Sequence, residues 1–266
     1  MLESILIPVL SIGGLALVLG SLLGFSTKKF AVEEDPNVER IRNVLPGSNC
    51  GGCGFAGCAG FAEAVARQQA AYSGCPPGGA ITAGRIAETM GLDPSVTTAK
   101  KVAFIKCNGR EESVKRNYIY DGPKSCVAAS QLATGGNKTC SYSCIGLESC
   151  KNACLFDAII ISGSIAEVDS KKCTACGKCI AACPKNLIQM VPDNSKVRVL
   201  CNSKDIGRLV RRNCRAGCIG CAICQKNCPE AAITVKDNIA CVDYDKCTMC
   251  MICVDKCPTK AVRLLR

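Results

Sequence analysis

Apolar and polar positions divide the 266-residue chain into regions of different character. Residues 4–25, SILIPVLSIGGLALVLGSLLGF, carry no charge across twenty-two positions. As a helix, that run is long enough to cross the hydrocarbon core of a bilayer. Lys28 and Lys29 flank its C-terminal end, which a positive-inside bias places in the cytoplasm. The N-terminal Met-Leu-Glu lacks the basic residues of a signal peptide, and no small-residue cleavage site follows. The expectation is a single-pass anchor, residues 1–29, in the cell (inner) membrane, with the C-terminal body on the cytoplasmic side. A removed leader on a soluble protein is the alternative.

Beyond the anchor the periods shorten. Residues 30–45 form an acidic-then-basic linker, including Glu33, Glu34, Asp35 and Pro36, that runs into a short helix. Residues 58–71 have the period of an amphipathic helix, and residues 81–90 predict another with Gly91 as its stop. KVAFIK (residues 101–106) reads as a short strand. Two strand–turn–strand patterns follow, 158–161 with 165–168 around Ser162-Gly163, and 233–235 with 239–242 around Asp237-Asn238. Lys204, Arg208, Arg211, Arg212 and Arg215 recur at helical spacing and would share one helix face.

Composition changes this picture. The chain has 25 cysteines but only 4% aromatic residues, too few large side chains for an ordinary core, so small modules need staples. Cys-x2-Cys runs suit metal ligation better than disulfides, and metal thiolates point to a reducing compartment. With no histidine, a Rieske cluster, His-ligated haem, Cys2His2 finger and Ser-His-Asp triad are all excluded. No acid, base or nucleophile cluster stands out, so no substrate-converting site is expected.

The spacing of the cysteines is the strongest signal. Cys218-x2-Cys221-x2-Cys224-x3-Cys228-Pro229 and Cys247-x2-Cys250-x2-Cys253-x3-Cys257-Pro258 are two copies of the bacterial ferredoxin motif. In such motifs three cysteines hold one [4Fe–4S] cluster and the fourth ligates the other cluster. On that rule Cys218, Cys221, Cys224 and Cys257 hold one cluster, and Cys247, Cys250, Cys253 and Cys228 hold a second. Upstream, Cys140-x3-Cys144-x5-Cys150-x3-Cys154 precedes Cys173-x2-Cys176-x2-Cys179-x3-Cys183-Pro184, an altered copy in which Leu155 replaces the proline. Taking Cys140 as the counterpart of Cys218 requires four inserted residues. The crossing rule then groups Cys140, Cys144, Cys150 and Cys183, and Cys173, Cys176, Cys179 and Cys154. Near the anchor, Cys50-x2-Cys53-x4-Cys58 with Cys75-Pro76 forms a glycine-rich quartet. Its backbone can approach a cluster closely and aim N–H groups at the sulfurs; a four-cysteine zinc site is the alternative. Cys107, Cys126, Cys201, Cys214 and Cys241 match no template. They are expected to be small buried apolar residues, with a sixth cluster as the alternative.

Charge then needs correction. The formal net charge is +11 with every cysteine neutral. An oxidised cluster with four thiolates carries about −2, so five clusters contribute roughly −10 and bring the loaded protein near neutrality. The basicity therefore does not imply nucleic-acid binding. The basic run at 204–215 is either a docking face for an acidic protein such as soluble ferredoxin or a solvated face balancing cluster charge.

An anchor, PGSNCGGCGFAGC (residues 46–58) with Cys75, and trailing ferredoxin repeats together resemble the B subunit of Rnf, the ion-translocating ferredoxin:NAD oxidoreductase complex. The resemblance covers nearly the whole chain. It implies a membrane-bound electron-transfer subunit with five [4Fe–4S] clusters that receives electrons from ferredoxin and passes them to other complex subunits, hydride chemistry and ion transport lying elsewhere. A membrane-bound polyferredoxin of another anaerobic redox complex and a structural zinc protein are the alternatives. The expected fold is α+β: a transmembrane helix, a four-cysteine Fe–S domain (30–95), a connecting segment (96–139), and two bacterial-type dicluster ferredoxin modules (140–200 and 201–266).

Overall fold

A computed structural model describes residues 2–29, 35–94, 99–132 and 134–265, with the side chains of residues 2–9 and 11 outside that set. The chain starts with α1 (Leu2–Lys29), a helix of 28 residues. Its described apolar side chains, from Leu10 to Phe25, are all exposed. The transmembrane reading of residues 4–25 falls partly on side chains outside the described residues. Among the described residues, no helix is long and apolar enough to cross a membrane.

Three helices build the four-cysteine domain. In α2 (Pro36–Val44) Asp35 caps the N-terminus, its carboxylate accepting from the Asn37 N–H at 2.9 Å, and proline opens the first turn. α3 (Cys58–Ala66) is shorter than the expected 58–71, because Gln68 turns the chain with φ +58°. α4 (Gly79–Met90) stops at Gly91 in the left-handed conformation, the stop expected there. Ile41, Phe61 and Ile86 meet in a fully buried core among these helices.

The remainder is two ferredoxin-like units made of short helices and two-stranded antiparallel sheets. β1 (Lys101–Ile105) pairs with β4 (Ile188–Pro192), from Lys101 opposite Pro192 to Ile105 opposite Ile188. Between them in sequence lie α5 (Cys126–Ser130), α6 (Ser149–Asn152), the hairpin β2 (Ile159–Ser162) and β3 (Ile165–Val168), and α7 (Lys178–Ala181). The second unit repeats this plan. β5 (Val197–Val199) pairs with β8 (Val262–Leu264) around α8 (Gly207–Asn213), α9 (Ile223–Lys226), the hairpin β6 (Ile233–Lys236) and β7 (Ile239–Val242), and α10 (Ile252–Asp255). Each unit is thus closed by a strand from before its cysteine motifs. β1 comes from the stretch expected to be a connector, and β5 from the expected tail of the first module. Arg198 of β5 lies at the seam between the units, 4% exposed. Its guanidinium donates to the carbonyls of Val197 and Pro192, both at 3.1 Å, and lies over the rings of Phe104 and Tyr244.

Candidate iron–sulfur centres

The four ferredoxin loops share one backbone course. Each has two left-handed residues two positions apart: Gly146 and Glu148, Ala175 and Gly177, Gly220 and Ala222, Met249 and Met251. Each fourth cysteine is followed three residues later by another, at Asp157, Asn186, Ala231 and Lys260. Left-handed backbone at a non-glycine residue costs about 1–2 kcal/mol, so its recurrence at these matching positions marks a geometry imposed by the loop's task. The turn after Cys154 matches the other three although Leu155 replaces proline.

These loops gather cysteines around small apolar cavities. Cys154, Cys173, Cys176 and Cys179 line one, Cys218, Cys221, Cys224 and Cys257 another, and Cys228, Cys247, Cys250 and Cys253 a third, each with about 310–330 Å³ of space. Near the anchor, Cys50, Cys53 and Cys58 stand close enough to Cys75 for their charges to push its thiol upward, after burial itself. Asn49 positions that loop. Its Oδ1 accepts from the Cys58 N–H at 2.9 Å at the start of α3.

One grouping differs from expectation. Cys144, Cys150 and Cys183 share a cavity of about 340 Å³ with Cys126, not with Cys140. Cys126, at the start of α5, is fixed there by its N–H, which donates to Ser149 Oγ at 2.8 Å. The difference follows from the register of the repeat. Cys144, Gly146, Cys150 and Cys154 have the spacing of Cys218, Gly220, Cys224 and Cys228, and Cys144 to Cys183 spans the same 39 positions as Cys218 to Cys257. No insertion is needed. Leu147 occupies the place of Cys221, and Cys126 packs beside Leu147, bringing a fourth thiol to the wall of that cavity. Cys140 stands instead with Cys107, Cys201 and Cys214 around a fifth cavity of about 390 Å³. Of the five cysteines expected to be isolated, only Cys241 stays outside these groups, and it is exposed on β7 rather than buried.

The quartets fit a thiolate-bound cluster. Burial pushes the Cys140 and Cys150 thiols up to about 12, and those of Cys144, Cys179, Cys201, Cys224 and Cys253 up to about 11, with neighbouring thiols adding repulsion. Four thiolates in such a site require a cationic core between them. Among the described residues, no three His, Cys, Asp or Glu side chains converge on a point that one metal ion could occupy. Cysteines set around the walls of a cavity suit a cube of four irons better than a single zinc. Backbone N–H groups also face the sulfurs: those of Leu187 and Ala232 donate to Cys183 and Cys228 at 3.5 and 3.3 Å, and that of Ala103 donates to Cys173 at 3.4 Å. Such donors raise a cluster's potential.

Comparison with known families finds three matching regions. Residues 45–77 match an Fe-S cluster family, residues 166–189 a 4Fe-4S binding domain, and residues 217–261 a 4Fe-4S dicluster domain. The chain is 44% identical over 263 residues to the B subunit of the Na(+)-translocating ferredoxin:NAD(+) oxidoreductase complex of Acetobacterium woodii, covering 98% of this chain and 78% of that one. It belongs to the Rnf B-subunit family. The B subunit of the ion-translocating oxidoreductase complex of Methanosarcina acetivorans is 39% identical, covering 99% of this chain and 100% of its own. The proton-translocating counterpart of Clostridium ljungdahlii is 40% identical, covering 89% and 83%.

The basic run of this Rnf protein is only partly helical. α8 spans seven residues, and Lys204 and Arg215 fall outside it. The N–H of Asp205 donates to Ser203 Oγ in a turn before the helix, and Cys214 is already extended. Lys204, Arg208, Arg211, Arg212 and Arg215 are nonetheless all exposed. Lys204 pairs with Asp237 at 3.7 Å.

The small domain touches the first ferredoxin unit at Gly52. A Cβ on Gly52 would lie 2.8 Å from the Cys176 carbonyl oxygen and 2.9 Å from its Cα. Glycine therefore lets the Cys50–Cys58 loop sit directly against the Cys173–Cys179 loop.

Proposed function

We propose that this chain carries electrons one at a time between reduced ferredoxin and the other subunits of an ion-translocating Rnf complex, through [4Fe–4S] clusters bound by its cysteine quartets. The ligand sets are Cys50, Cys53, Cys58 and Cys75; Cys126, Cys144, Cys150 and Cys183; Cys173, Cys176, Cys179 and Cys154; Cys218, Cys221, Cys224 and Cys257; and Cys247, Cys250, Cys253 and Cys228. Bound there, each cluster supplies a one-electron carrier. The protein's part is to hold four thiolates in an apolar cavity, exclude water, and set potential through N–H donors. The observation that supports the reading best is that cysteine-lined cavities of one size coincide with the repeated ferredoxin loops.

α1 is the membrane anchor in this reading. It supplies a 28-residue helix whose described leucines have no cover, with Lys28 and Lys29 at the end joined to the cysteine-bearing body. Arg208, Arg211, Arg212 and Arg215, with Lys204, form the face that meets acidic ferredoxin. Electron transfer from reduced ferredoxin should slow at least several-fold, and lose most of its salt dependence, when Arg208, Arg211 and Arg212 become Ser. An unchanged rate and salt slope would remove the docking role. A colourless protein with stoichiometric zinc would remove the electron-transfer reading itself.

A further inference from the structure

We propose that Cys107, Cys140, Cys201 and Cys214 hold a sixth [4Fe–4S] cluster, and that this cluster is the bridge by which electrons cross between the two ferredoxin units. The inference rests on the reading that the other quartets hold clusters.

The site is built by both repeats in equivalent ways. Cys107-Asn108-Gly109 follows β1 as Cys201-Asn202-Ser203 follows β5, and Cys140 precedes Cys144-Ile145-Gly146 by the same four positions that separate Cys214 from Cys218-Ile219-Gly220. Each repeat therefore contributes two cysteines from matching places. The hydrogen bonds match as well. The Cys107 sulfur accepts from the N–H groups of Gly109 and Cys144, at 3.3 and 3.4 Å. The Cys201 sulfur accepts from Ser203 N–H at 3.5 Å and from the Cys218 amide. Across the seam, Thr139 Oγ1 donates to the Asn213 carbonyl at 3.0 Å and Arg215 N–H to the Ser113 carbonyl at 2.9 Å, which fixes the two halves of the quartet together. The space beside these four thiols, about 390 Å³, is comparable to the 310–340 Å³ of the other four cavities. A pair of repeats that merely packed together would have no cause to leave a cavity walled by four thiols at their seam.

Neighbouring quartets then form a single file. Gly52 sets the Cys50–Cys75 site against Cys176. Cys179 is among the thiols close to Cys150, within the first unit. Cys144 is bonded through its N–H to Cys107 of the bridge, and Cys201 of the bridge is adjacent to Cys218 of the second unit. Each step along the file moves one electron, with no bond made or broken. The bridge thus links Cys144 of the first unit to Cys218 of the second.

Iron and acid-labile sulfide in the full chain, purified anaerobically, test this. About 24 of each are expected, at four per cluster. Cys214→Ala and Cys107→Ala should each lower iron by about four, whereas Cys241→Ala leaves it unchanged. Cys214→Ser, which retains an oxygen ligand, should shift the potential of one EPR signal and leave the others in place. About 20 irons in the native chain, with no signal moved by Cys214→Ser, would overturn the bridge while sparing the five-cluster reading. Little iron in the native chain would overturn both.

Discussion

Gly52→Ala probes the joint between the small domain and the ferredoxin units. The added methyl would stand 2.8–3.2 Å from the carbonyl oxygen, Cα and carbonyl carbon of Cys176, all backbone atoms that no side-chain rotation can move aside. Ordinary contact begins near 3.4 Å, so the two loops must part by about half an ångström or one of them must deform. Forced overpacking of this kind costs about 1–3 kcal/mol. Taken from docking, that lowers the ratio of docked to undocked domain about 5- to 150-fold. Gly54→Ala is the control. At φ +87° it strains its own loop, but its Cβ would meet nothing within 4 Å. Freeze-quench EPR of the reduced full chain follows how fast the Cys50–Cys75 centre equilibrates with the rest. Slow equilibration is expected in Gly52→Ala with that centre's own spectrum retained, and near-native exchange in Gly54→Ala. Native exchange in Gly52→Ala, or the reverse order of the two variants, would refute a transfer joint at this contact.

Other outcomes follow from the same geometry. Cys126→Ala should remove the cluster signal associated with Cys144, Cys150 and Cys183 while Cys140→Ala spares it, as EPR of the two variants would reveal; the opposite result restores the expected grouping. Arg198→Leu removes two hydrogen bonds from a buried guanidinium and its contact with two rings, a loss of about 2–4 kcal/mol that differential scanning calorimetry should register as a Tm several degrees lower. Asn49→Ala deletes the acceptor for the Cys58 N–H, which should destabilise the four-cysteine domain by about 1 kcal/mol in chemical denaturation without altering the ferredoxin units.

Local signals in the sequence are reliable where local forces decide. The hairpins at 159–168 and 233–242 are short apolar runs on either side of turn residues, and Gly91 ends α4 because only a left-handed residue fits there. The pairings of β1 with β4 and β5 with β8 join strands more than sixty residues apart, and nothing in either strand names its partner. The basic stripe at 204–215 keeps helical spacing beyond the helix itself. A Cβ on Gly207 would meet the Ile219 carbonyl oxygen at 2.5 Å, so the segment is held by packing at its start and by the extended Cys214 at its end.

The cysteine groups show the same limit more sharply. Motif spacing identifies loops, and three of the four ferredoxin loops contain three thiols of their own. The fourth has Leu147 where a thiol belongs, and its replacement, Cys126, comes from another segment by tertiary packing alone. Counting from Cys140 hides this gap. Counting from Gly146, the glycine whose φ is +82° and whose added Cβ would lie 2.4 Å from the Ser164 carbonyl oxygen, exposes it, because Gly220 does the same beside Asn238. Backbone constraint fixes the register more firmly than a shared residue type does.

Electron carriage is tested most directly by a reductive titration of the anaerobic full chain with reduced ferredoxin, followed by optical bleaching and by EPR, with zinc determined on the same sample. A brown protein is expected that takes up several electrons per chain, bleaches as it does so, and contains no stoichiometric zinc. A colourless chain that binds zinc through these cysteines and accepts no electron from ferredoxin would contradict the iron–sulfur reading.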